Sequence, residues 1–344
     1  MGRIHLLQVQ YGDAFIIECS RGEKKGVVVV DGGPRSSSNT FIEAVNQVAP
    51  IDLMVLTHYD KDHIEGILEL IAEYEDRKEP LPVKEIWANC AQFIPVTDTT
   101  RTSPSQGVTL AKKLQDYADG GVLKWKNNVF EGYKPEFDFM DITVVSPTEH
   151  VMGMAIKRQQ EEDGAPTKAT DRTNEDLGKS LEELAVRPIK EPNLKSDSQL
   201  ANAASIAFVL QCDNLSVLML GDCYPHNVEN YLRGKGISED NPLKVDYVKV
   251  SHHGSRNNTS NGLLDIIKCD NYIISTNGGD GNACHPDREA LAHILCHQKR
   301  MLDEKVHIYM NYDINYVEEV GAPFFNKGEE EKYNFEIHSN TTII

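Results

Sequence analysis

Four side chains able to bind a metal ion, His58, Asp60, Asp62 and His63, fall within the stretch His58-Tyr59-Asp60-Lys61-Asp62-His63. Imidazole nitrogens combined with carboxylate oxygens suit zinc and the other divalent first-row ions. The preceding run Ile51 to Leu56 is apolar apart from Asp52, and Ile64, Ile67, Leu68, Leu70 and Ile71 recur at helical spacing behind it. The pattern predicts a strand, a tight loop and a helix over Ile64 to Glu75. On such a loop, side chains at i, i+2, i+4 and i+5 converge on a small volume at the N-terminal end of the helix. A solvated polar turn is the plain alternative. Two imidazoles and two carboxylates at this spacing argue against it, as do the ligand types found at distant strand ends.

Those strand ends come late in the chain. Ser216 to Leu220 reads as a strand that runs into Gly221-Asp222, and Asp246 to Val250 as another that runs into Ser251-His252-His253-Gly254-Ser255. Together the motifs resemble the metallo-β-lactamase superfamily, whose signature is His-x-His-x-Asp-His. They are most similar to the His-x-Asp-x-Asp-His variant of ComEC-like competence proteins. The resemblance runs from Gln8 to about His297, and Gly12-Asp13-Ala14 and His-His-Gly-Ser match further stretches of that branch.

The resemblance implies a two-metal centre. His58 and Asp60 would serve one ion, Asp62 and His63 with His252 the other, and Asp222 would bridge, with either His252 or His253 as the family's last histidine. It also implies that Asp31, at the end of Val27 to Val30, props the metal loop by hydrogen bonding. Asp62 would orient a water or return a proton, His253, Ser255 and Asn257 would donate to an anion, and His285 would lie near the leaving group. This chain departs from the common pattern in two places. Asp60 replaces a histidine and shifts that site toward harder ions such as Mn²⁺ or Mg²⁺. The histidine expected before the strand leading to Asp222 is replaced by Asn202-Ala203-Ala204-Ser205, which makes Asn202 a weak ligand or a substrate contact. His150 is a runner-up. His5, His226, His293, His297, His307 and His338 have no motif around them, and Cys223 reads as a small buried filler.

With 344 residues the chain can bury a sizeable core. A formal charge of −18 disfavours non-specific adhesion to nucleic acid or anionic membrane. The seven cysteines form no Cys-x-x-Cys pair, so reduced thiols are expected rather than a disulfide frame. Met1 to Leu7 lacks the apolar core of a signal peptide and no run of eighteen apolar residues occurs, so a cytoplasmic protein without a membrane span is expected.

Strand-rich stretches occur in both halves of the chain, Ile4 to Val145 and Ser205 to His338, each with outer helices. They describe an α/β fold, a four-layer αββα metallo-β-lactamase sandwich forming a single hydrolase domain over residues 1–344. Residues 148–200 contain no Phe, Tyr or Trp and are dense in charge. They read as a charged, partly mobile insertion, helical around Leu177 to Ala185, with a protein partner as one use for it. Helices are expected at Pro104 to Gly120, Pro225 to Arg233, Asn261 to Ile267 and from His285-Pro286 onward.

The functional expectation is a metal-dependent hydrolase with two divalent ions (Zn²⁺ or Mn²⁺, with Mg²⁺ possible). Such a centre lowers the pKa of a bound water and yields hydroxide at neutral pH. A phosphoester is the expected substrate, with nucleic acid foremost because ComEC-like domains are associated with nucleases. A lactone or thioester hydrolase and a partner-activated module are the alternatives.

Overall fold

The computed structural model describes residues 2–90, 106–161, 174–279 and 284–344. Its first sheet opens as an antiparallel meander of β1 (Arg3–Leu6), β2 (Phe15–Arg21) and β3 (Lys24–Val30). Three βαβ steps then add β4 (Leu53–Val55), β5 (Glu85–Trp87) and β6 (Lys124–Lys126) in parallel. The crossover helices are α1 (Ser38–Val48), α2 (Lys61–Arg77) and α3 (Gln106–Asp119).

The second sheet begins with antiparallel β7 (Asp141–Ser146), β8 (Ala207–Cys212) and β9 (Leu215–Met219). Between β7 and β8 run α4 (Glu149–Glu161), α5 (Leu181–Ala185) and α6 (Asp197–Ala203), and α7 (Pro225–Gly234) follows β9. A small parallel pair, β10 (Leu243–Lys244) with β12 (Ile267–Lys268), flanks β11 (Tyr247–Lys249) and α8 (Asn261–Leu264). The sheet is completed by β13 (Asn271–Ile274), β14 (Val306–Met310) and β15 (Phe335–His338), with α9 (Arg288–Cys296), α10 (Ile314–Glu319) and α11 (Glu329–Lys332) on the connections. Strand order is β15-β14-β13-β11-β9-β8-β7, parallel from β9 outward to β15.

Side-chain alternation builds the layers. Val28 and Val30 face the second sheet and share one buried cluster with Phe208, Leu210 and Val217. Val29, on the opposite face, packs with Phe41, Ile64, Ile67 and Leu70 of the outer helices. Beyond the second sheet, Leu218, Val248 and Ile274 meet Leu181, Leu184, Leu291 and Ile294. This is the αββα arrangement, and it explains why the valine run reads as buried on both faces.

Some expectations give way. The helix foreseen over Asn261 to Ile267 stops at Leu264, because Ile267 pairs with Leu243 as a strand. The helix foreseen at His285-Pro286 starts at Arg288, with Asp287 at its N-cap. In the stretch 148–200, Leu181 and Leu184 are fully buried against α9, and a reciprocal Ser180–Glu183 capping box starts α5. Residues 180–185 thus gain order by docking on their neighbours, which composition alone does not disclose. Residues 162–173 lie outside the described residues.

Candidate metal centre

Asp31 anchors the loop between β4 and α2. Its carboxylate accepts from Thr57 N and Thr57 Oγ1, both at 2.8 Å, and from His63 Nδ1 at 2.9 Å. With Nδ1 donating, the His63 ring turns its Nε2 into the centre, where that buried atom has no hydrogen-bond partner. The start of α2 is pulled against the turn after β3. Gly32 N donates to His63 O and Gly66 N donates to Gly33 O. A Cβ on Gly66 would overlap the Gly32 carbonyl, so this approach requires glycine.

The opposite wall comes from the second sheet. Asp222 follows β9, and its backbone N donates to Ser205 Oγ at 3.2 Å. Its Oδ2 lies 3.8 Å from His58 Nε2, 3.5 Å from His63 Nε2 and 3.7 Å from His252 Nε2. Asp60 Oδ2 is 3.7 Å from His58 Nε2. Asp62 Oδ2 is 3.7 Å from His63 Nε2 and 3.4 Å from His253 Nε2. Three imidazoles therefore surround one carboxylate oxygen, and two surround another.

His252 and His253 reach the centre through strain. Both are left-handed, at φ 49° and 53°, and Gly254 follows at φ 86°. Non-glycine residues held there cost about 1–3 kcal/mol each and persist where the surroundings fix them. Here His253 Nδ1 donates to Ser275 O at 2.7 Å. His252 Nδ1 lies 3.2 Å from Asn258 Oδ1, while Asn258 Nδ2 donates to the carbonyls of Asp222 and Cys223. Asn202 Nδ2 is also near, 3.4 Å from His252 Nδ1.

The remaining expected residues are less uniformly placed. His285 reaches the cluster, its ring 5.3 Å from that of His252 and nearly parallel to that of His253 at 6.5 Å. Its Nδ1 lies 3.5 Å from Asp287, which also accepts from Arg256. Ser255 is buried beside the centre, its backbone N donating to His252 O. Asn257 turns its Oδ1 to Lys190 N, and its neighbour Asn258 is the asparagine behind the His252 ring. His150 is exposed on α4, and Cys223 is buried.

Sequence reasoning missed one pair altogether. Asp13 and Lys249 are fully buried and ion-paired directly behind His253, with Asp13 Oδ1 3.4 Å from His253 Nδ1. Asp13, His63, Asp222 and His253 bring one ligand atom each within 4.8 Å of one another. Because its carboxylate is turned to Lys249 and to the Nδ1 edge of His253, Asp13 belongs to the layer behind the ligand atoms. The Gly-Asp-Ala turn was a signal for Asp13, whereas a lysine inside a strand gave none for Lys249. Another group, His307, Glu336 and His338, lies half-exposed where β14 meets β15, with Glu336 also paired to Lys305.

The charges are strongly coupled. Burial alone would raise Asp62, but the His63 and His253 imidazoles outweigh it and hold the carboxyl at about 2. Burial likewise opposes charge on Asp222, yet His252, His63 and His253 keep it well below the usual carboxylate range. His253 is raised to about 10, since Asp13, Asp222 and Asp62 overcome its burial, whereas burial wins for His252 and takes it to about 4. Buried His63 Nε2, His253 Nε2 and Asp222 Oδ1 all lack hydrogen-bond partners. Unsatisfied buried donors and acceptors are rare unless an ion or ligand completes them. This histidine and aspartate set fits a divalent cation.

Residues 7–89 match the Metallo-beta-lactamase superfamily model. The match spans the first sheet from the end of β1 to β5, including Asp31 and the whole loop from His58 to His63. Among solved structures, the metallo-beta-lactamase fold protein YhfI from Bacillus subtilis is 10% identical at a TM-score of 0.39, covering 100% of this chain and 99% of its own. Zn²⁺-bound PqqB from Methylobacterium extorquens is 11% identical at 0.40, covering 99% of each chain. A diphosphatase from the PhnP family is 9% identical at 0.42, covering 100% and 97%. No curated protein matches significantly.

Proposed function

We propose that this protein is a metal-dependent phosphodiesterase, with nucleic acid as its foremost substrate class. The observation that carries the reading is the convergence of His58, His63 and His252 on one oxygen of Asp222, with His253 meeting Asp62 alongside. His58 and Asp60 would hold one ion, Asp62 and His63 with His252 or His253 a second, and Asp222 would lie between them. Charge supports more than one ion: Asp13, Asp31, Asp60, Asp62 and Asp222 gather around the imidazoles, and once the rings are neutral Lys249, paired to Asp13, offsets only one of the five carboxylates.

Bound there, divalent cations would supply Lewis acidity and lower the pKa of a water. Asp62, already ionised, would orient that water and accept its proton. His285, its ring oriented by Asp287, would sit on the leaving-group side. Asp60 in place of a histidine favours Mn²⁺ or Mg²⁺ at the first position. The ComEC-like form of the motifs, His-x-Asp-x-Asp-His with His-His-Gly-Ser, favours a phosphodiester over a lactone.

The test strips the protein of metal and resupplies Mn²⁺, Mg²⁺ or Zn²⁺ separately. Hydrolysis is followed on bis-p-nitrophenyl phosphate and on single- and double-stranded DNA, with Asp62→Ala and Asp222→Ala as controls. Metal-dependent turnover that both variants lose is the expected result. A folded, metal-loaded protein that turns over none of these substrates sinks the phosphodiesterase reading and directs attention to lactones and thioesters.

A further inference from the structure

Lys249 presents a physical problem. It is fully buried at the end of β11, beside the carboxylate on which three imidazoles converge. Its Nζ pairs closely with Asp13 Oδ2, donates to Gly221 O at 3.1 Å and lies 3.8 Å from Asp222 Oδ1. Asp222 Oδ2 is the oxygen that faces His58, His63 and His252. The ammonium thus stands behind Asp222, on the side away from those rings. Were it to swing onto Asp222 it would neutralise the carboxylate that the centre needs. The group nearest to it, and so holding it back, is Asp13.

Resting on the metal-centre reading above, we infer that Asp13 is a positioning residue with two tasks. It clamps Lys249 so that the ammonium stays on the Oδ1 side of Asp222, 3.8 Å away, without competing for Oδ2, and it sets a negative charge 3.4 Å from the Nδ1 edge of His253. The clamp follows from burial. A lysine with no exposed surface must keep a carboxylate partner, because an unpaired buried charge is far costlier than a paired one. Remove the charge of Asp13, and Asp222 becomes the nearest remaining carboxylate.

That reasoning gives a signed double-mutant cycle. Asp13→Asn should weaken divalent metal binding by about 10- to 100-fold, the range typical of groups that support metal ligands. Adding Lys249→Met to that variant removes the competing ammonium and should recover a large part of the loss. A purely structural role for the pair would show its loss and recovery in thermal stability alone, with the metal affinity of each folded variant unchanged. Affinity for Mn²⁺ and Zn²⁺ would be measured by competition with a chromophoric chelator on the full chain, with thermal melting to verify folding. A folded Asp13→Asn protein with wild-type affinity, or a double variant no better than the single, overturns the inference while leaving the proposed function intact. Wild-type protein that binds neither ion overturns both. Should Asp13→Asn fail to fold, a crystal structure of metal-loaded wild type decides: Lys249 bonded to Asp13 upholds the clamp, and Lys249 bonded to Asp222 Oδ2 refutes it.

Discussion

A metal-binding histidine is usually held by a hydrogen bond at its other nitrogen, and the rings at this centre have such partners. His63 has Asp31, His253 has Ser275 O and His252 has Asn258. Protons nevertheless occupy some of these rings when metal is absent. Burial would lower His63, but Asp222, Asp31 and Asp62 outweigh it and raise it well above the ordinary imidazole value, and His253 is raised to about 10. A raised pKa means a protonated ring at neutral pH, and a ligating imidazole must be neutral, so each binding event expels protons. Apparent metal affinity should therefore rise with pH between about 6 and 8. Calorimetric binding enthalpies should shift between buffers of different ionisation enthalpy, and identical enthalpies in all buffers would refute the proton release. The ligand types were legible in the sequence because four of them are local and two others end strands. Lys249 was not, since a lysine within Tyr247-Val248-Lys249-Val250 looks like a solvent-facing strand residue until Asp13 is folded against it.

Elements were legible where burial is periodic along one segment. α2 holds Asp62 and His63 in place because Ile64, Ile67, Leu70 and Ile71 bury one face, and its first turns are tied to the turn after β3 by Gly32 N to His63 O and Gly66 N to Gly33 O. Gly66 makes that packing testable. Helix propensity favours Gly66→Ala by about 1 kcal/mol, whereas the added methyl meets the Gly32 carbonyl, and overpacking typically costs about 1–3 kcal/mol. The clash wins because backbone lies on both sides. The variant should unfold at lower urea concentration and bind metal more weakly; an unchanged or higher midpoint would show that the turn relaxes freely. Where partners are distant, the sequence was a poorer guide. Ile267 is a strand residue only because Leu243 lies beside it, and β14 was not anticipated although its five residues alternate in burial.

At the scale of the molecule, a buried arginine ties the 174–179 stretch to the late chain. Arg288 forks onto Glu329 at 2.6 and 2.8 Å and donates to the carbonyls of Asp176, Lys179 and Phe324. Arg288→Met leaves Glu329 without its counter-ion, and breaking such a pair costs about 3–5 kcal/mol. The variant should melt earlier and be cleaved by protease near residues 174–179, and adding Glu329→Gln should restore part of the loss. The net charge of −18 bears on substrate choice. It opposes approach of a polyanion over a distance set by screening, about 30 Å at 0.01 M salt and about 10 Å at 0.1 M. Proteins with basic grooves lose nucleic-acid affinity as salt rises because counterions are released. Here repulsion should dominate, so kcat/KM for single-stranded DNA should increase between those two salt concentrations at fixed metal. The singly charged bis-p-nitrophenyl phosphate should change little. A steep fall for DNA instead would reveal a local cationic track strong enough to override the global field, and the two substrates measured side by side separate that outcome from any effect of salt on the metal centre itself.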